Sequence, residues 1–238
     1  VSNGNNFGAS GLAAADQMIG TPTTNFCTMS PIDKSSSITL SDGNLVMTFA
    51  SGWKNGRATF GVPSSGKWSF QLQKSANNLM VGICAQGLGD GDIDQNGKDS
   101  LNYYDSGGTS LGKIQTRRSG SQVVEVTNDP PGIALDTNME ILIDKDNDQF
   151  GVVIGGTAYM AVDAGVEILD TETEIYVQGY TATDLFTLDF GQGGYEPSQT
   201  GYKTLSTANL VTPTILDGTA NFQTTLYQGT GAVRTVGQ

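Results

Sequence analysis

The chain has 238 residues, of which 32 are glycine and only 15% are charged, and its 24 acidic and 12 basic residues give a formal net charge of −12. This charge repels nucleic-acid phosphates and anionic membrane surfaces, so neither is an expected partner. The absence of histidine excludes Ser-His-Asp and Cys-His catalysis and histidine-ligated zinc. No apolar run approaches the roughly 18 residues of a membrane span, so membrane insertion is not expected.

Residues 1–36 are rich in Asn, Gly, Ser, Thr and Pro and lack hydrophobic periodicity, which indicates an extended arm or linker. After this arm, short stretches of alternating apolar and polar residues are separated by turn residues. Trp68 and Phe70, for example, share one face of a predicted strand. No segment after the arm has the apolar spacing of a three-turn helix. The pattern predicts an all-β fold with an antiparallel β-sandwich over residues 37–194.

Beyond the sandwich the chain returns to Pro, Thr and Asn, and residues 195–221 are predicted to form a second extended arm. Residues 222–238 contain two alternating stretches around a Gly-Thr-Gly turn. This pattern predicts either a terminal hairpin or the start of a further β module. Cys27 and Cys84 each lie beside apolar residues, so two unpaired, buried thiols are expected.

An acidic, glycine-rich loop at residues 86–100 contains the clearest motif for a ligand. Asp92, Asp94 and Asn96 have the alternating spacing of calcium ligands, with Gly97 at the tight turn, and Asp99 adds a nearby oxygen. The closing position of an EF-type loop would be Tyr103, so the usual carboxylate is missing there unless Asp105 supplies it from two residues further on. Calcium is therefore the one candidate cofactor, and a solvated acidic turn is the alternative.

Aromatic side chains are the second kind of candidate site, because sugar rings bind through apolar faces and polar edges. The aromatic residues that could stack on a sugar are Trp53, Tyr103, Tyr104, Tyr159, Tyr176, Tyr180 and Tyr195, and the binding residues singled out from this set are Trp53, Tyr103 and Tyr104. Tyr103 and Tyr104 are adjacent and must face opposite sides of a strand, so at most one of them can line a surface site. A sandwich glycosidase would need two carboxylates about 5–10 Å apart across a cleft. No signature of that kind is present, and no catalytic residue is assigned.

The most distinctive stretch of the chain is residues 189–215. It contains an ordered series of short motifs: Phe190-Gly191-Gln192, Tyr195, Pro197, Thr200-Gly201-Tyr202-Lys203, Leu205, Thr207-Ala208-Asn209-Leu210 and Pro213-Thr214-Ile215. This order resembles the segment that closes a SPRY-like domain in large virion proteins of marine tailed phages. The SSGKWSF motif at residues 64–70 and the VGI strand at residues 81–83 resemble earlier parts of the same domain. The resemblance implies a sandwich of the SPRY, concanavalin A-like jelly-roll type.

The resemblance also implies a location on the virion, in a tail fibre or related appendage that contributes to host attachment. The expected partners are other virion subunits, including further copies of this chain in an assembly such as a trimer, and host cell-surface polysaccharide. The SNGNNF start and the YQGTG near the end resemble remnants of flanking laminin-G-like modules. Two alternatives stay open: a capsid or tail decoration protein without a receptor, and, less favoured, a carbohydrate-active enzyme.

Overall fold

The computed structural model describes residues 24–75, 78–85, 99–105, 112–118, 121–125, 130–162 and 173–210. The strands in chain order are β1 (Met29–Lys34), β2 (Thr39–Ser41), β3 (Val46–Thr48), β4 (Lys54–Val62), β5 (Lys67–Lys74), β6 (Leu79–Ala85), β7 (Ser100–Asp105), β8 (Lys113–Arg118), β9 (Ser121–Glu125), β10 (Asn138–Asp144), β11 (Gln149–Ile154), β12 (Thr157–Val162), β13 (Thr173–Gly179), β14 (Leu185–Asp189) and β15 (Lys203–Thr204). None of the described ranges contains a helix, and so none holds a helical segment able to cross a membrane.

The strands form two sheets. Sheet A has the order β1-β4-β13-β6-β7-β8-β9, and sheet B has the order β12-β11-β10-β5-β14-β3-β2. Neighbouring strands are antiparallel except for β15, which runs parallel to β5 along the part of its edge that β14 does not cover. The predicted all-β, antiparallel sandwich is confirmed.

The core lies between the two sheets and follows the alternation of the strands. In β5, Trp68, Phe70 and Leu72 are all buried, as the sequence predicts. Ile141 of β10 lies opposite Phe70, and the ring of Phe190 stacks on the Phe70 ring with centroids 5.0 Å apart. Burying an aromatic side chain of this size contributes about 1.5–3 kcal/mol to stability, so this stack is one of the main contacts of sheet B with the core.

Both predicted arms contribute to the sandwich where the structure describes them. The prediction placed residues 29–34 in an extended arm, but they form β1, which pairs with β4 at the edge of sheet A. Proline is tolerated on an edge strand because its missing N–H faces away from the ladder, and Pro31 occupies such a position. The backbone N–H of Cys27 also donates to the carbonyl of Leu205 at 2.9 Å, which joins the two arms. Residues 1–23 and the predicted module at 222–238 lie outside the described residues.

No disulfide links the two cysteines and both are buried, as predicted. Cys27 packs in the core between the sheets, and burial raises the pKa of its thiol to about 11. Cys84 lies on the other face of sheet A, in a small buried cluster with Met80 and Tyr176. The second cluster shows that sheet A is also packed on the face that points away from the core.

Candidate functional site

The candidate site lies on the face of sheet A that points away from the core, which we call the outer face. Successive residues of a strand alternate between faces. Val81 and Val177 point into the core, so their neighbours Met80 and Gln178 point outward. The strand register places one row of outer-face residues across five strands: Asn55, Gln178, Met80, Tyr104 and Lys113.

Three aromatic side chains meet beside this row, where β4 begins and β13 ends, and we call Trp53, Tyr104 and Tyr180 the aromatic cluster. The ring of Trp53 lies 5.0 Å from that of Tyr180 and 6.3 Å from that of Tyr104, measured between centroids. Tyr180 is 45% exposed, and the other two rings are half-buried. The structure thus brings together two of the residues singled out in the sequence and adds a third, Tyr180.

The turn that carries Tyr180 is held by one buried carboxylate. Asp184 accepts hydrogen bonds from the backbone N–H groups of Tyr180 at 2.6 Å and Thr181 at 2.7 Å. The hydroxyl of Thr181 donates to the other carboxylate oxygen of Asp184 at 2.6 Å. These contacts fix the backbone at Tyr180 without help from a ligand. A ring that is already in position loses less conformational entropy on binding, which favours affinity.

Amide side chains form a polar layer on the outer face beside the aromatic cluster. They are Asn55, Asn102, Gln115 and Gln178, and all four are buried. The amides of Asn102 and Gln115 are 3.1 Å apart, and Asn102 also donates to the hydroxyl of Ser100 at 3.2 Å. Because these amides are buried and the aromatic rings are partly exposed, an incoming ligand would meet the rings first.

A charged group occupies the far part of the same face. The buried guanidinium of Arg57 pairs with Asp33, and its Nε lies 3.9 Å from a carboxylate oxygen of Glu174. The hydrogen bond from Arg57 lowers the pKa of Asp33, whereas burial and the charge of Asp33 raise the pKa of Glu174. Since both carboxylates contact one guanidinium, this group is an ion-pair cluster and lacks the arrangement of an acid and a base set across a cleft.

Tyr103 points into the core, where it is fully buried, and its hydroxyl donates to the carbonyl of Pro131 at 3.0 Å. Burial raises the pKa of this phenol far above its usual value. Sequence reasoning included Tyr103 among the binding candidates, and its orientation removes it from that set. Tyr104, its neighbour in β7, points to the outer face, as the strand period requires.

The candidate calcium loop falls mostly outside the described residues, which exclude Asp92, Asp94 and Asn96. Asp99 is described, and its carbonyl accepts a hydrogen bond from the backbone of Ala85 at 3.0 Å. The ranges that the structure describes hold no group of three or more acidic or cysteine side chains able to bind a metal. Asp105, the suggested closing ligand, is instead buried against the ammonium of Lys74. The calcium site remains a prediction for the loop alone.

No family model and no curated protein matches the chain. Among solved structures, it is similar to the SPRY domain of human HERC1, with 15% identity and a TM-score of 0.51, covering 68% of this chain and 96% of that one. It is also similar to the PSpry domain of TRIM65, with 11% identity and a TM-score of 0.52, covering 69% of this chain and 92% of that one. At these identities the likeness concerns the fold. The chain has a SPRY-like β-sandwich fold of the concanavalin A-like class.

Proposed function

We propose that this chain is a non-enzymatic structural module of a phage virion, part of a tail fibre or related appendage, that contributes to attachment by binding host-surface glycan. The observation that carries the proposal is the aromatic cluster, whose partly exposed rings lie side by side at the rim of a polar face. Aromatic faces of this kind stack on the apolar faces of sugar rings. The sequence resemblance of residues 189–215 supports the phage context.

A site with so few exposed side chains binds a single glycan weakly, because association itself costs several kcal/mol. Attachment through such a site relies on several copies that act together. Linking sites can raise the overall affinity by about 10²- to 10⁴-fold without any new contact. The proposed homo-oligomer, for example a trimer, would supply this gain on a virion surface.

The proposal is tested by measuring the binding of host polysaccharides to the isolated chain and to two cluster variants, Trp53→Ala and Tyr180→Ala. Both substitutions remove a ring from the cluster without opening the core, so we expect weaker binding and little change in melting temperature. Tyr159→Ala is the matched control, because Tyr159 is a half-buried tyrosine on β12 of sheet B. Glycan binding by both cluster variants at the wild-type level would contradict the proposal.

A capsid or tail decoration protein is the second candidate function. Large apolar side chains exposed on edge strands favour it: Ile32 on β1 is 93% exposed, and Val162 on β12 is 58% exposed. Contacts with neighbouring subunits would cover such residues. Electron cryo-microscopy of the intact particle separates the two functions. A position on a distal fibre favours attachment, whereas a position on the shell or tube with β1 and β12 buried favours decoration.

A further inference from the structure

Two surface clefts meet beside the short strand β15. None of the residues that line them belongs to the aromatic cluster. Each cleft has a volume of about 340 Å³, and both are lined by Lys203 and Asn209. Phe26, Tyr195, Glu196 and Tyr202 line one of them, and Lys67, Trp68 and Asp146 line the other. This volume lies at the lower end of the range of small-ligand sites, and the lining offers both aromatic and polar groups.

Lys203 is an available cation between the two clefts. Its side chain is exposed and forms no ion pair with any described residue. Lys67, the other lysine beside Tyr202, is already engaged: its ammonium lies 2.8 Å from Asp144 and 5.8 Å from the centre of the Tyr202 ring. In a chain with a net charge of −12, an exposed and unpaired ammonium is a local attraction for an anion.

The walls of the clefts are fixed by hydrogen bonds within the chain. The carboxylate of Asp189 accepts hydrogen bonds from three backbone N–H groups of the loop that follows it: Gly191, Gly193 and Tyr195. The amide of Asn209 donates to the carbonyl of Thr204 at 2.9 Å, which leaves its oxygen as an acceptor at the cleft. Gly194 adds open space, since a Cβ built there would meet nothing within 4 Å. The site therefore exists before any ligand binds.

We propose that these clefts bind a uronic-acid unit of an acidic polysaccharide. The carboxylate of the sugar pairs with the ammonium of Lys203, and the apolar face of the ring packs on Tyr202. Its hydroxyl groups donate to Asn209 and to the exposed carboxylate of Glu196. The negative charges of Glu196 and Asp146, which also line the clefts, disfavour a second anionic group nearby, so the site takes one charged unit of the chain. This second glycan site goes beyond the proposed function, which rests on the aromatic cluster.

The test is calorimetric titration of the whole chain with a mannuronate hexamer at low salt, with a neutral mannose hexamer as the comparison. Lys203→Met should weaken mannuronate binding about tenfold, which is the value of one charged hydrogen bond. It should also remove most of the salt dependence. Tyr202→Ala should weaken binding, and Tyr202→Phe, which keeps the ring, should not. Lys54→Met makes the same charge change beside Trp53 and should leave mannuronate binding unchanged.

Equal affinity for the two hexamers, or wild-type affinity in Lys203→Met, would overturn this inference. The variants also separate the two proposed sites. Loss of mannuronate binding in Trp53→Ala but not in Lys203→Met assigns the ligand to the aromatic cluster and overturns the inference. Loss in Lys203→Met but not in Trp53→Ala supports the Lys203 site whatever the outcome of the test on the cluster.

Discussion

Strand β5 begins and ends with a lysine, and the two lysines should differ sharply in their importance for stability. The Lys74 side chain is 2% exposed and pairs with Asp105, which is 1% exposed. Lys74→Met would leave the Asp105 carboxylate buried without its cation, although the backbone N–H of Ile133 still donates to it at 3.0 Å. Breaking one half of a buried ion pair costs about 3–5 kcal/mol. For a domain of this size that corresponds to a loss of roughly 6–20 °C in melting temperature.

Urea unfolding of the wild type, Lys74→Met and the double variant Lys74→Met/Asp105→Leu measures this cost. The double variant should recover most of the lost stability, because it buries an apolar pair and no charge. Lys67→Met is the matched control. The Asp144 carboxylate is also buried, but Lys67 is 32% exposed, and without it Asp144 keeps three hydrogen bonds from Asp146 and Asn147, so the loss should be only about 1 kcal/mol. The reasoning is refuted if Lys74→Met unfolds within about 1 kcal/mol of the wild type, or if the double variant is no more stable than the single one.

Two further predictions concern sheet A. Gly82→Ala places a Cβ 2.1 Å from the carbonyl oxygen of Leu101, so the strands must separate, and we expect a loss of about 1–3 kcal/mol in urea unfolding. Gly61→Ala is its control, because a Cβ there meets nothing closer than 3.7 Å and should be tolerated. Burial raises the pKa of Glu174, so ionising this carboxyl opposes folding at neutral pH. Glu174→Gln should therefore be more stable than the wild type at neutral pH, and this gain should vanish as the pH falls below about 4. A difference between the urea midpoints of the two proteins that grows as the pH is lowered would contradict this.

The sandwich could be predicted because most of its core strands show a two-residue alternation of buried and outward-facing side chains in their own sequence. Trp68 and Phe70 face the core by the two-residue period alone, and the opposite orientations of Tyr103 and Tyr104 follow from the same rule. The sequence of the first arm did not show that part of it pairs with the sandwich. β1 is a short edge strand with few side chains in the core, so it lacks the apolar alternation by which a strand is recognised, and its apolar residue Ile32 is exposed.

The aromatic cluster could be predicted only in part. Trp53 and Tyr180 are 127 residues apart, and both lie just outside strands, where no periodicity applies. They meet because β4 pairs with β13 and the register places Lys54 opposite Gly179. A single sequence does not specify which distant strands become neighbours. The buried pair of Lys74 and Asp105 depends on a long-range contact of the same kind.

Residues 189–210, the described part of the distinctive stretch, contain two kinds of residue. Asp189 and Gln192 stabilise the turn that follows β14. The Asp189 carboxylate accepts hydrogen bonds from backbone N–H groups of this turn, and the Gln192 amide donates to the carbonyl of Cys27 at 3.0 Å. Tyr195 attaches the turn to sheet B through a 2.8 Å hydrogen bond to the Ser69 hydroxyl. Folding explains these residues, but it does not require an exposed, unpaired ammonium at position 203 in so acidic a chain. The Lys203 clefts are therefore the part of this stretch to which we assign the proposed ligand.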